Sequence, residues 1–241
     1  GSQIQVYLNK VQEFEQVQQE VGDPFQTIAN KLWMKQIMHL GGGQSESEQQ
    51  LFKFFLEGFE SSIVDTFYGG NVTSFFKTSS SPIQQAQSQA LTDRINQGVS
   101  LINFFGHSSP NSFDISIDQP ANYQNFGRYH VILSNGCFTG NIYDGSRGIS
   151  EDFVLEPNKA AVGFISTVSL ASSSGLNTFT SNFYRELSPK SYGSTLGEAL
   201  KRTVEEVEAC CFQSPYNMMI AEVIAMNGDP ALRLNPHDEP D

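Results

Sequence analysis

Three apolar runs, Val99–Phe105 (VSLINFF), His130–Asn135 (HVILSN) and Ala160–Ser166 (AAVGFIS), constrain the fold of this chain more than any other feature. Each is short and built around apolar residues, as expected of a buried strand. Segments of helical period lie between such runs. Residues 4–21 place Ile4, Leu8, Val11, Phe14, Val17 and Val21 at steps of three and four, ending at Gly22, Asp23 and Pro24. Lys35–Leu40 (KQIMHL) is a further buried strand that runs into Gly41, Gly42 and Gly43. Ser45 with Glu48 forms a capping box that opens a helix through Leu51, Phe54, Phe55 and Phe59. Ser62–Tyr68 is expected as a strand and Pro82–Gln97 as a helix. A polar stretch follows from Gly106 to Arg128. Three helices close the chain: Thr178–Leu187, Thr195–Phe212 with a second capping box at Thr195 and Glu198, and one that starts at Ser214 and Pro215 and stops near Asn227 and Gly228. Alternating strands and helices mean an α/β fold built on a mostly parallel sheet.

The chain has 241 residues, enough to bury a substantial core. Fourteen Lys and Arg against 26 Asp and Glu give a formal charge of −12, which repels phosphate backbones and argues against nucleic acid as a partner. No apolar run approaches the roughly 18 residues a spanning helix needs. Three cysteines, Cys137, Cys210 and Cys211, leave at least one thiol free in a monomer. Vicinal Cys210 and Cys211 are badly placed to bridge each other; they are expected to pack as small apolar residues or to pair with another chain. Without CxxC or HExxH spacing a zinc site is not expected, and neither a GxSxG elbow nor a phosphate-binding glycine loop is present. His39 and His130, at a strand end and a strand start, are expected to pack or hydrogen-bond, and His237 lies in an acidic tail over 237–241. Gly1 and Ser2 read as a cleavage scar, so the domain is taken as 3–236 and as a fragment of a longer chain.

Ligands of an open parallel sheet bind beyond the carboxyl ends of its strands. Two of those ends carry chemistry: Phe105-Gly106-His107-Ser108-Ser109, and Ser134-Asn135-Gly136-Cys137-Phe138. As parallel neighbours these strands would lie about 4.8 Å apart, which brings a thiol and an imidazole side by side as nucleophile and general acid/base. Gly106 and Gly136 permit tight turns and close approach of a substrate backbone, and N–H groups after His107 and around Cys137 suit an oxyanion.

The motifs GHSSP (106–110), SNGCFTG (134–140), ISEDFVL (149–155), AAVGFIST (160–167), TLGEAL (195–200) and NGDPALRL (227–234) together resemble the gingipain family of caspase-like cysteine peptidases, and within it the PorU-type sortases of the type IX secretion system. The resemblance implies a caspase-like three-layer α/β/α sandwich with a Cys–His dyad at adjacent strand ends. It matches Cys137 to the family nucleophile, His107 to its histidine and Gly106 to the glycine before it. Where the family has a glycine after that histidine, this chain has Ser108. The loop from Thr167 to Gly175, with Thr167, Val168 and Ser169 at its start, is implied as a wall of the pocket for the residue before the scissile bond. It carries no charge, so a small or neutral residue is expected there. A third group orienting the histidine stays open among Glu46, Glu48, Asp114 and Asp118. No cofactor is implied; calcium is associated with the family, and Asp144, Glu151 and Asp152 form an acidic cluster.

The function so implied is a cysteine peptidase or a sortase-type transpeptidase acting through an acyl-enzyme on C-terminal sorting signals of secreted proteins. Its partners are substrates carrying those sorting domains, an amine acceptor glycolipid and other secretion subunits, and its place is the outer face of the outer membrane or the medium. The alternative is a catalytically silent scaffold or binding subunit of the same machinery.

Overall fold

The computed structural model describes residues 2–19, 31–77, 85–115, 117, 119–143, 145–211 and 214–236. Six strands form one sheet in the order β2-β1-β3-β6-β7-β8, and a two-residue hairpin, β4-β5, stands apart from it. The sheet strands are β1 (Gln36–Gly41), β2 (Asn71–Phe76), β3 (Leu101–Phe105), β6 (His130–Asn135), β7 (Ala161–Thr167) and β8 (Ile224–Gly228). All run parallel except β8, which pairs antiparallel with β7. The hairpin joins β4 (Ser108–Ser109) to β5 (Ser112–Phe113). Among the described residues there are seven α-helices: α1 (Ser2–Gln19), α2 (Glu46–Ile63), α3 (Gln85–Gln97), α4 (Ile149–Leu155), α5 (Ser173–Arg185), α6 (Leu196–Cys211) and α7 (Pro215–Val223).

The period-2 geometry of a strand sends alternate side chains to opposite faces, and here both faces are apolar. Ile37, Leu101, Phe105, Val131 and Leu133 point into one core with Phe52, Leu56 and Phe59 of α2 and Phe179 and Phe183 of α5. Met38, Leu40, Ile102, Phe104 and Ile132 point into the other, against Leu91 and Ile95 of α3 and Phe153 of α4. This is the three-layer α/β/α sandwich that the resemblance implies, on the mostly parallel sheet that the alternating strands and helices predict.

Several boundaries differ from expectation. Ser62–Tyr68 is not a strand: α2 continues to Ile63, one helical step beyond buried Phe59, and Asp65 then accepts from the Phe67 and Tyr68 N–H groups in a turn. The strand comes instead at Asn71–Phe76, an edge strand whose partly exposed faces carry no unbroken apolar run. The last helix stops at Val223, and Ile224–Gly228 forms β8, because pairing with β7 outweighs local helical preference there. The polar stretch after β3 contains the β4-β5 hairpin. Thr178–Leu187 lies within a helix that starts at Ser173, capped by Ser172, and runs on as a π-helical turn over Glu186–Lys190. Both capping boxes are formed. Cys210 is exposed on α6 and disulfide-bonded, so it is not a packing residue. Residues 22–24, 82–84, Phe212 and the tail 237–241, where other expectations fall, lie outside the described residues.

Helix α1 docks through a buried amine. Lys10 Nζ donates to the carbonyls of Phe153, Val154 and Ala161 at 3.2, 3.0 and 2.7 Å, so it caps the last turn of α4 and joins it to β7. Burial pushes the Lys10 amine down to about 7, with Glu156 and Glu13 partly opposing the shift. Between that value and 10.5 the unfolded chain binds more protons than the folded one, so stability rises with pH over this window. Urea denaturation at pH 7 and pH 9 should therefore show wild type gaining, by up to about 1.4 kcal/mol per pH unit, over Lys10→Met. Parallel pH dependences for the two proteins would contradict this.

Candidate active site

The turns after β3 and β6 converge on one cleft. Parallel pairing sets Phe105 opposite Asn135, and the Gly106 N–H reaches the Asn135 carbonyl at 3.2 Å. The chains leaving the two strands therefore start side by side. Gly106, His107, Gly136 and Cys137 all line a cleft of about 250 Å³ above these strand ends. Its apolar wall is Leu51 and Phe52 of α2, Phe105 of β3 and Leu176 of α5. Cys137 is a free cysteine, half-buried, with its Sγ 3.8 Å from the Ala171 carbonyl.

His107 has a carboxylate partner. Its Nε2 lies 3.1 Å from Glu48 Oε1, and the ring meets Phe52 edge-on at 6.1 Å. Glu48 is the capping-box residue of α2. Its other oxygen accepts from the Gln44 and Ser45 N–H groups at 2.9 and 3.3 Å, so the helix start that sequence reveals also pins the carboxylate beside the imidazole. The Gln44 N–H bond, with the His107 and Ser45 contacts, holds the Glu48 carboxyl below the usual carboxylate range. An ionised carboxylate only accepts, so His107 carries a proton on Nε2 and, when neutral, leaves Nδ1 free to take one. Glu48→Gln should lower the rate of any His107-dependent step about tenfold, with wild type losing the same contribution only as pH falls through the depressed Glu48 value. A pH–rate profile of the two proteins checks this, and equal rates at pH 7 would contradict it.

The other acidic candidates lie elsewhere. Asp114 Oδ2 accepts from the Gly43 N–H at 2.7 Å, and its own N–H donates to the His107 carbonyl at 2.9 Å. It braces the main chain of the histidine rather than its ring. A Cβ at Gly42 would fall 2.0 Å from Asp114 Oδ1, so the glycine run after β1 makes room for this brace. Glu46 meets Gln50 in the first turn of α2, and Asp118 lies outside the described residues.

The cysteine turn is held from both sides. Phe138, the residue after Cys137, sits at φ +64°, a left-handed conformation that costs a non-glycine residue roughly 1–2 kcal/mol. Thr167 Oγ1 donates to the Gly136 carbonyl at 2.7 Å, and the Phe138 N–H donates to the Ser169 carbonyl at 3.1 Å. Ser108 Oγ donates to the Cys137 carbonyl at 2.8 Å. Thr167 and Ser169 thus brace the turn, and the Val168 N–H is taken by the Val223 carbonyl. The part of this loop that lines the cleft is Ala171 and Ser173, not the expected Thr167, Val168 and Ser169, because a strand end packed behind the turn cannot also face its open side.

Of the acids in the candidate calcium cluster, two are described and each has a protein partner. Glu151 accepts from the Gly148 N–H at the start of α4 and Asp152 pairs with Arg147 at 2.7 Å, while Asp144 lies outside the described residues. Among the described residues no three His, Cys, Asp or Glu side chains are grouped to hold a metal ion.

No curated protein matches the chain in sequence. Solved structures match in fold. The complex of Porphyromonas gingivalis RgpB pro- and mature domains is 14% identical with a TM-score of 0.69, covering 92% of this chain and 52% of its own. The Arg-specific cysteine proteinase gingipain R (RgpB) is 16% identical with a TM-score of 0.63, covering 85% of this chain and 48% of its own. A third structure, described as a protease, is 12% identical with a TM-score of 0.73, covering 93% and 52%. The chain thus spans about half the length of the structures it matches. The model of peptidase family C25 matches residues 1–235. The chain belongs to peptidase family C25, the gingipain family of caspase-like cysteine peptidases.

Proposed function

We propose that this domain is a cysteine endopeptidase in which Cys137 is the nucleophile, His107 the general acid/base and Glu48 the group that positions the imidazole. The observation that carries the reading is a free thiol in one cleft with a carboxylate-paired histidine. His107 Nδ1 takes the thiol proton as sulfur attacks the peptide carbonyl and a C–S bond forms. The oxyanion accepts from the N–H groups of Cys137 and Ser108, and His107 returns the proton to the leaving amine as the C–N bond breaks. The thioester then passes to water or to a second amine.

In its finer form the reading is a sortase-type transpeptidase. It would act on C-terminal sorting signals of proteins exported by type IX secretion and join the new carboxyl end to a glycolipid amine. That places the domain with other secretion subunits, at the outer face of the outer membrane or released from it. Support for this form is the motif resemblance to PorU-type sortases.

The test is covalent labelling. Iodoacetamide should alkylate Cys137 at pH 7 at least about tenfold faster in wild type than in His107→Ala, read by mass spectrometry of the Cys137 peptide. Equal rates would overturn the reading and favour the silent scaffold.

The same cleft supports a neutral residue before the scissile bond. One neighbour in fold is Arg-specific, which requires a carboxylate or comparable partner for a cation. Among the described residues the carboxylate lining the cleft is Glu48, already engaged by His107, and beside the Cys137–His107 pair the other lining side chains, Leu51, Phe52, Phe105, Asn135, Ala171, Ser173 and Leu176, are uncharged. A peptide library should be cleaved mainly after uncharged residues. Dominant cleavage after Arg or Lys would contradict that expectation.

A further inference from the structure

We infer that the Ser108 hydroxyl is a positioning group that sets the oxyanion donors of this site by clamping the peptide plane after Cys137. The inference rests on the acyl-transfer reading above.

In a planar trans peptide the carbonyl and the next N–H point in opposite directions. The plane before Cys137 is fixed by Thr167, which holds the Gly136 carbonyl toward β7, so the Cys137 N–H points away from β7, to the β3 side. The plane after Cys137 is fixed twice. Its N–H, on Phe138, donates to Ser169 on the β7 side, and its carbonyl accepts from Ser108 on the β3 side. Both peptide planes flanking the Cα of Cys137 are therefore anchored, and Ser108 supplies the sole β3-side anchor among the described residues.

Ser108 is built for that contact. A Cβ placed on Gly136 would lie 2.1 Å from Ser108 Oγ, so the hydroxyl crosses the space that the glycine leaves open. The backbone of Ser108 is available as well. The Asp114 N–H donates to the His107 carbonyl and Ser108 faces Phe113 in the hairpin, which makes Ser108–Phe113 the non-hydrogen-bonded pair and turns the Ser108 N–H outward from β5. The Cys137 N–H likewise meets no backbone acceptor among the described residues. One short side chain thus ties together the two residues whose N–H groups would share an oxyanion. The clamp also holds the strained Phe138 backbone in place. A glycine after the histidine, the residue the family resemblance leads one to expect, could not make this bond.

The experiment separates a reaction that forms an oxyanion from one that does not. p-Nitrophenyl acetate acylates a thiol: the C–S bond forms, the carbonyl passes through a tetrahedral oxyanion, and p-nitrophenolate leaves with the electrons of the broken C–O bond. Iodoacetamide alkylates the same thiol by displacement of iodide, with no oxyanion. Both rates are measured at Cys137 for wild type, Ser108→Ala and Ser108→Thr between pH 6 and pH 8. The expected result for Ser108→Ala is an acylation rate about tenfold lower, alkylation within about twofold of wild type, and a ratio independent of pH, because the hydroxyl does not titrate there. Ser108→Thr, which keeps the hydroxyl, should recover most of the acylation rate. Unchanged acylation in Ser108→Ala, or equal losses in both reactions, would overturn the inference while leaving the peptidase reading standing. Wild type acylated no faster than N-acetylcysteine would overturn both.

Discussion

Cys137→Ala is expected to lower peptide cleavage and acyl-enzyme formation by at least about 10⁴-fold while leaving peptide affinity and thermal stability close to wild type. The size follows from removing the atom that forms the covalent intermediate. Specificity to chemistry follows from the structure of the turn. The bonds that hold it are made by Thr167, Ser169 and Ser108 to main-chain groups of Gly136, Cys137 and Phe138, and none uses the sulfur. Among the described residues the Sγ meets the Ala171 carbonyl at 3.8 Å, a weak contact whose loss costs little. Substrate binding, turnover and melting temperature measured together check the expectation. Cys137→Ala combined with His107→Ala should be no slower than Cys137→Ala alone, since without the thiol the imidazole has no proton to move. A double variant slower by a further large factor, or a single variant that still cleaves, would place the chemistry on another group.

The central strands could be read directly from sequence because burial on both faces removes any ambiguity of periodicity. His130–Asn135 matches its strand to the residue. Edge strands lack that signal. β2 is half-exposed and β8 sits behind a helix with which it shares apolar character, so pairing, not local pattern, decides both. At the site, His107 and Cys137 stand out because each follows a strand with a glycine between. Glu48 was legible as a helix cap and as one of four candidate histidine partners, but the choice among the four depends on where α2 starts relative to the end of β3, a tertiary fact. The same holds for Thr167 and Ser169. Sequence places them beside the cleft, and only the packing of the β7 end behind the cysteine turn makes them braces. Ser108 looks like a departure from a glycine when seen as a letter in a motif; its bond to the Cys137 carbonyl gives the departure a structural reason.

Asn103→Ala is expected to destabilise the fold by about 3–5 kcal/mol and to lower activity well below the temperature at which the chain unfolds. Asn103 is the middle of a buried relay that crosses three strands and returns to one helix. Thr180 Oγ1 donates to Asn135 Oδ1 at 2.7 Å, Asn135 Nδ2 to Asn103 Oδ1 at 2.8 Å, and Asn103 Nδ2 to the Tyr184 oxygen at 2.9 Å. With that oxygen accepting from Asn103, the Tyr184 hydroxyl proton is free for His39 Nε2, 2.8 Å away. Burial pushes His39 down to about 3, so the ring is neutral at pH 7 and accepts there. Thr180 and Tyr184 are one helical turn apart on α5, so the relay fixes α5 across β1, β3 and β6 at once. All of these groups are buried, where an unmet donor or acceptor carries its full desolvation cost. Truncating Asn103 strands two partners together, the Asn135 amide and the Tyr184 oxygen, and leaves a cavity between them. Asn135 lines the cleft two residues before Cys137, so slack in the relay is transmitted to the cysteine turn. Denaturant titration and the pre-transition temperature dependence of Cys137 acylation are the measurements. Tyr184→Phe, which removes one hydroxyl and no volume beneath the cleft, should cost less stability and spare more activity than Asn103→Ala. The reverse order would show that the helix end of the relay, not the strand end, governs the site.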